Sequence, residues 1–166
     1  MRPESLRQSL MDETDQMADT MAEVGLALKA LTGREPRTVE AAGIALFLAN
    51  LYMGVENVLV RISEAHGVSV PQGQSWHADL FDMFCHPDDF GLPQIIDAEL
   101  ADEIGEYRRF RHVAFHGYGV GLVWERLRPG AENAIEVFTR FFLGLQGYMD
   151  TLPRPDPPDD GEERPA

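Results

Sequence analysis

The amino-acid sequence predicts an all-α protein, a four- to five-helix bundle with a short flap helix and a disordered, acidic, proline-rich C-terminal tail. Two observations carry this. Apolar residues recur at helical steps through most of the chain, and no run alternates apolar with polar residues as a half-buried strand requires. A chain of 166 residues suits one core. Residues 1–152 are therefore expected to form a single helical domain and 153–166 its tail.

Each element has its own signal. Leu6, Leu10, Met17, Met21, Val24, Leu28 and Leu31 fall on one face of a first helix, and Thr32-Gly33 ends it. Pro36 stands at a permitted first-turn position, so a second helix is expected to begin near it and to run to about Ala65, where His66-Gly67 stops it. The middle of that helix, IALFLANLYM, is apolar nearly all round, as in the central helix of a bundle. After the turn-rich GVSVPQGQ, Ser75 is an expected N-cap for a short helix, WHADLFDMF, with CHPDDFGLP as the loop behind it. This piece is expected to lie over the bundle as a flap. From Asp97, the residues Leu100, Ile104, Tyr107 and Ala114 mark a fourth helix reaching about His116, where GYGVG interrupts it. A last helix is expected after Pro129, with Ile135, Phe138, Phe141, Phe142, Leu145 and Met149 facing inward. The closing PRPDPPDDGEERPA carries too little apolar surface to offset the entropy of ordering it.

The formal charge of −14 argues against a general nucleic-acid coat, which needs Lys and Arg spread over a face. Any polyanion must then bind at a local patch. Of the 14 basic residues, Arg108, Arg109, Arg111, Arg126 and Arg128 lie close together in sequence, and Lys29 is the one lysine. That bias favours forked contacts to phosphate or carboxylate. A single cysteine, Cys85, excludes an internal disulfide and a multi-cysteine metal site, and reads as a small buried apolar group. MRPESLRQSLMDETD lacks the apolar core of a secretion signal, and no apolar run is expected to reach the roughly 18 residues of a membrane span. The expected setting is cytoplasmic, with no membrane partner.

The stretch RRFRHVAFHGYGVG concentrates cationic and titratable groups where glycines interrupt the helical pattern. Arg111 and His116 are five residues apart, about 140° around an ideal helix, so they cannot share one straight face. They converge if the helix ends at His116 or if the motif meets its copy across a dimer axis. A helix C-terminus favours a protonated imidazole, which suits an acid or base. An arginine for phosphate oxygens beside a histidine that moves a proton is the minimum kit for metal-free cleavage of RNA by its own 2′-hydroxyl. Tyr118 adds a hydrogen-bonding or stacking group. Other readings of the same residues stay open. Arg108 and Arg109 can form surface ion pairs with Glu103 and Glu106. His112 and His116, four apart, have the spacing of two metal ligands on one helical face.

Arg111, His116 and Tyr118 match the R-x4-H-x-Y signature of the HEPN superfamily, and the chain resembles its HepT-like ribonuclease toxin branch. SWHADLF resembles the family's W-H-x-x-L-L stretch, ELADEIGEYRRFRH its approach helix and VWERLRP the continuation into the last helix. With NLYMGVENVLVRI included, the resemblance covers roughly residues 40 to 150. It implies a helical bundle that pairs as a homodimer and cleaves RNA without a metal ion or cofactor, with Arg111 and His116 as the catalytic pair. It also implies a minimal nucleotidyltransferase antitoxin as partner, able to transfer AMP from ATP to Tyr118, where added charge and bulk block substrate phosphate. The chain departs from related proteins at His112, where Asn or Asp is frequent, and at Phe115, where another arginine is frequent.

His112, Arg108, Trp76 and His77 are supporting candidates. Trp76 either stacks on a base or seals the core, the core being preferred. His77 is either a residue behind the site or an exposed one. Glu56 and Asn57 are expected to be buried polar groups behind the site, with Arg61 an ion-pair partner for one of them. His66 and His86 need no function. Two alternatives stand beside the ribonuclease. One is a non-catalytic HEPN module that binds a nucleotidyltransferase. The other is a DinB-like metal-binding bundle using His112 and His116 with His66 or His77.

Overall fold

The computed structural model describes residues 3–111 and 122–154. The architecture is all-α, with no strand among the described residues. The helices are α1 (Pro3–Ala30), α2 (Thr38–Ala65), α3 (Trp76–Cys85), the single turn α4 (Pro87–Phe90), α5 (Ala98–Gly105) and α6 (Trp124–Met149). Residues 108–111 are helical again after a turn at 106–107. Ala114, His116 and the GYGVG interruption lie outside the described residues, as does the tail from 155.

α1 and α2 form an antiparallel pair. Glu13 of α1 meets Arg61 at 2.8 Å and accepts from Asn57 at 3.2 Å, while the Arg61 guanidinium also donates to the Ser9 carbonyl at 3.0 Å. Arg61 thus pairs across the helices and not with Glu56 or Asn57, and Asn57 is exposed. Leu6, Leu10, Met17, Val24 and Leu31 are buried on the α1 face that the periodicity marks.

α2 is the central helix. By length and composition it is apolar enough to cross a membrane, contrary to the expectation of no such run, but 61% of its apolar window is buried inside the protein. Its apolarity is accounted for by contacts with α1, α3 and α6. It starts at Thr38, with Pro36 before the cap. Gly67, in the left-handed region at φ 71°, follows the C-cap His66. His66 then joins three elements, with Nδ1 on the Gly91 carbonyl at 3.1 Å and Nε2 on the Tyr148 hydroxyl at 3.0 Å.

α3 lies over the bundle on α2 and α5, with His77, Leu80, Phe81, Met83 and Phe84 on its buried face. Two later elements differ from the sequence expectation. The fourth helix is not continuous. Gly105 ends α5, and Tyr107 N–H closes a tight bond to the Ile104 carbonyl at 2.9 Å. α6 begins five residues ahead of Pro129, because its buried stripe of Leu127, Ala131, Ala134, Phe138, Phe141 and Leu145 already starts at Leu127. Packing of that stripe overrides the local cost of a proline within the helix. Ile135, one position round from the stripe, is 44% exposed, not inward-facing, and Phe142 is only partly buried.

The segment leading to Arg111 is fastened to α6. Tyr107 donates its hydroxyl hydrogen to the Gly130 carbonyl at 2.9 Å and meets Phe138 edge-on at 5.0 Å. Phe110, also buried, lies so close to Gly130 that a Cβ there would stand 3.0 Å from its ring.

Candidate functional site

The site draws on three separate parts of the chain. α2 supplies Tyr52 and Glu56, four residues apart and therefore neighbours on one helical face. α3 supplies Trp76 and His77 at its first turn, and the 108–111 segment supplies Arg108 and Arg111.

At the centre is a chain of hydrogen bonds running from the core to the surface. The Glu56 carboxylate is buried and pairs with His77 Nδ1, while His77 Nε2 lies 2.8 Å from Nη1 of Arg111. The same Arg111 nitrogen is 3.9 Å from the second Glu56 oxygen. Tyr52 also hydrogen-bonds to Glu56; burial first, then that carboxylate, pushes the Tyr52 hydroxyl well above its ordinary pKa. A buried carboxylate is tolerable only when its lone pairs are satisfied, and here a histidine, a tyrosine and a guanidinium surround it. Among the described residues no buried side-chain nitrogen or oxygen lacks a partner.

Arg111 differs from Glu56 in exposure. Its side chain is 38% exposed while that of Glu56 is 6% exposed, so the arginine is tethered to buried partners yet remains partly exposed. Trp76 is partly buried, packs against the core and lies on the His77 ring with centroids 3.7 Å apart. That placement matches the core reading of Trp76. His77 is buried behind the site and not exposed.

Beside this cluster is a cavity of about 410 Å³ whose wall includes Tyr52, His77, Phe81, Cys85, Asp102 and Arg108. Arg108 is exposed on this wall. Burial, and then Asp82, Asp102 and Asp97, push the Cys85 thiol above its ordinary pKa. Arg109 points elsewhere, 3.6 Å from Glu106 and over the Phe110 ring at 4.8 Å, while Glu103 pairs with Arg140. Of the two arginines expected in surface ion pairs, Arg109 is the one so placed.

His112, His116 and Tyr118 lie outside the described residues. Among the described residues no three His, Cys, Asp or Glu side chains cluster to hold a metal ion. Both ring nitrogens of His66 and of His77 have protein partners. Glu56 stands behind the site as expected from the sequence, whereas Tyr52 joins it unexpectedly. The signal for Tyr52 was its four-residue spacing from a carboxylate on an otherwise apolar helix.

A helical bundle that carries an arginine tethered at its surface, at the head of R-x4-H-x-Y, defines a HEPN-like class. Over residues 43–152 the chain matches the family described as HepT-like protein, and it belongs to that family. No curated protein and no solved structure matches the chain significantly.

Proposed function

We propose that this chain is a metal-independent endoribonuclease acting in the cytoplasm as the toxin of a toxin–antitoxin pair, with residues 1–152 as its functional unit. The observation that carries the reading is the state of Arg111: held from behind by His77 and Glu56, yet 38% exposed at the first position of the family motif. A fixed, open guanidinium is suited to a phosphate that gains charge in the transition state.

The chemistry needs no activated water. His116 accepts the proton of the ribose 2′-hydroxyl as its oxygen bonds to phosphorus, Arg111 stabilises the crowded phosphorane, and the P–O5′ bond breaks as the 5′-oxygen takes a proton. The products are a 2′,3′-cyclic phosphate and a 5′-hydroxyl. A homodimer that brings two motifs to one cleft supplies acid and base together and focuses positive potential within an acidic protein. A nucleotidyltransferase antitoxin silences the site by adding AMP to Tyr118, which places a phosphate where substrate phosphate must lie.

The test is incubation of the purified protein with single-stranded RNA, with and without EDTA, beside Arg111→Ala and His116→Ala. Cleavage is expected to be indifferent to chelator, to leave cyclic-phosphate ends and to be lost in both variants. Equal behaviour of wild type and variants sinks the reading. RNA bound but uncut supports the interaction module instead.

A further inference from the structure

His77 is buried, lies far from the motif in sequence, and has both ring nitrogens engaged. A guanidinium has donors only, so Arg111 Nη1 must donate to His77 Nε2 across the 2.8 Å contact. Nε2 therefore carries the lone pair, Nδ1 carries the hydrogen, and Nδ1–H donates to Glu56 Oε1. Trp76 against one face of the ring, at 3.7 Å between centroids, and Tyr52 on the same carboxylate leave the imidazole little freedom to turn. One N–H of the guanidinium is thereby directed inward, and the outward ones are aimed by default.

We propose that His77 is a positioning residue for Arg111: its Nε2 lone pair, oriented by Glu56, sets the direction in which Arg111 presents its remaining N–H groups to a phosphate. The proposal rests on the reading of Arg111 as the phosphate-binding group. His77 takes no part in proton transfer, because the lone pair that could accept a proton is occupied by Arg111. Tethering of this kind matters because a small misplacement of a transition-state contact is costly in rate.

The geometry separates two substitutions of similar polarity. In His77→Gln the amide oxygen reaches about as far as Nε2 and keeps an acceptor for Arg111. In His77→Asn the amide reaches only about as far as Nδ1 and serves Glu56 alone. His77→Asn is expected to lower kcat for RNA cleavage by about 10- to 100-fold with KM changed less, at a melting temperature close to that of His77→Gln. His77→Gln is expected to retain most activity. In an Arg111→Ala background, His77→Asn should add nothing, since the two act as one unit.

A readout independent of turnover is the ¹⁵N spectrum of the imidazole. It should show hydrogen on Nδ1 and a bare Nε2 in the wild type, and Arg111→Ala should move chiefly the Nε2 resonance. The proposal is overturned if His77→Gln is as impaired as His77→Asn, if His77→Asn compounds the Arg111→Ala loss, or if the hydrogen sits on Nε2. If the wild type cleaves no RNA, the ribonuclease reading fails separately. Binding of an uncleavable 2′-deoxy oligonucleotide then decides the proposal: His77→Asn must weaken it and His77→Gln must not.

Discussion

The carbonyl oxygen of Ile95 lies 2.1 Å from the point where a Cβ on residue 144 would stand, so α6 admits the 92–96 segment only because Gly144 has no side chain. The obstructing atom is backbone and cannot swing away. Gly144→Ala is expected to destabilise the protein by about 1–3 kcal/mol through overpacking. Gly147, on the same helix, has nothing within 4 Å of its would-be Cβ. Gly147→Ala should therefore stabilise by about 0.5–1 kcal/mol through helix propensity. Paired thermal melts check both signs.

Acid should reveal the joint between α1 and α2. The Arg34 guanidinium grips Glu40 in a two-pronged contact at 2.8 and 2.9 Å, and the Arg37 backbone N–H adds a third bond at 2.8 Å. The arginine first, then the backbone N–H, hold the Glu40 carboxyl at a pKa of about 2, against an ordinary 4.5. A lowered carboxyl pKa stabilises the fold above the ordinary value, and that contribution is lost as pH falls through the lowered one. Glu40→Gln is expected to melt below the wild type at neutral pH, with the gap closing between about 4.5 and about 2. Melting temperature against pH for the two proteins provides the measurement.

How much of this was legible in the sequence depended on whether the signal was local. α1 and the end of α2 were readable because a long apolar period and a His-Gly stop act within one segment. The start of α6 was not readable. Pro129 signals a first turn, but Leu127 is gripped by the core, and packing overrode the local rule. Within the candidate site, Arg111 was visible through its motif, and Glu56 only as a buried polar group behind it. Tyr52 was hidden, since an aromatic residue on such a helix reads as core. The His77–Arg111 contact spans separate elements, and no single stretch of sequence encodes it.

Cys85 lines the cavity beside the site but should be a poor nucleophile. Partial burial comes first, and three aspartates follow, in raising its thiol pKa. Less thiolate is present at neutral pH than for a free cysteine. Alkylation by iodoacetamide at pH 7.5 is expected to be several-fold slower in the folded protein than after denaturation, with the difference narrowing at higher pH. Mass spectrometry of timed aliquots reads the rate.

Tyr107→Phe removes only the hydroxyl that donates to the Gly130 carbonyl. The expected cost is about 1 kcal/mol by chemical denaturation, the ordinary net worth of one hydrogen bond. On the reading of Arg111 above, RNA cleavage should fall by more than stability does, because the lost tie lies four residues before that arginine. A variant that loses stability but cleaves at the wild-type rate contradicts this.

The turn at 106–107 makes Tyr107 the origin from which Arg111 is measured. Changes of length on either side of that origin have different consequences. A residue added in the turn itself, ahead of Tyr107, leaves the four-residue step to the arginine intact. A residue deleted between 107 and 111 rotates it by about 100° around its own helix, away from His77. In natural length variation among relatives, the four-residue step from tyrosine to arginine should be the invariant ruler.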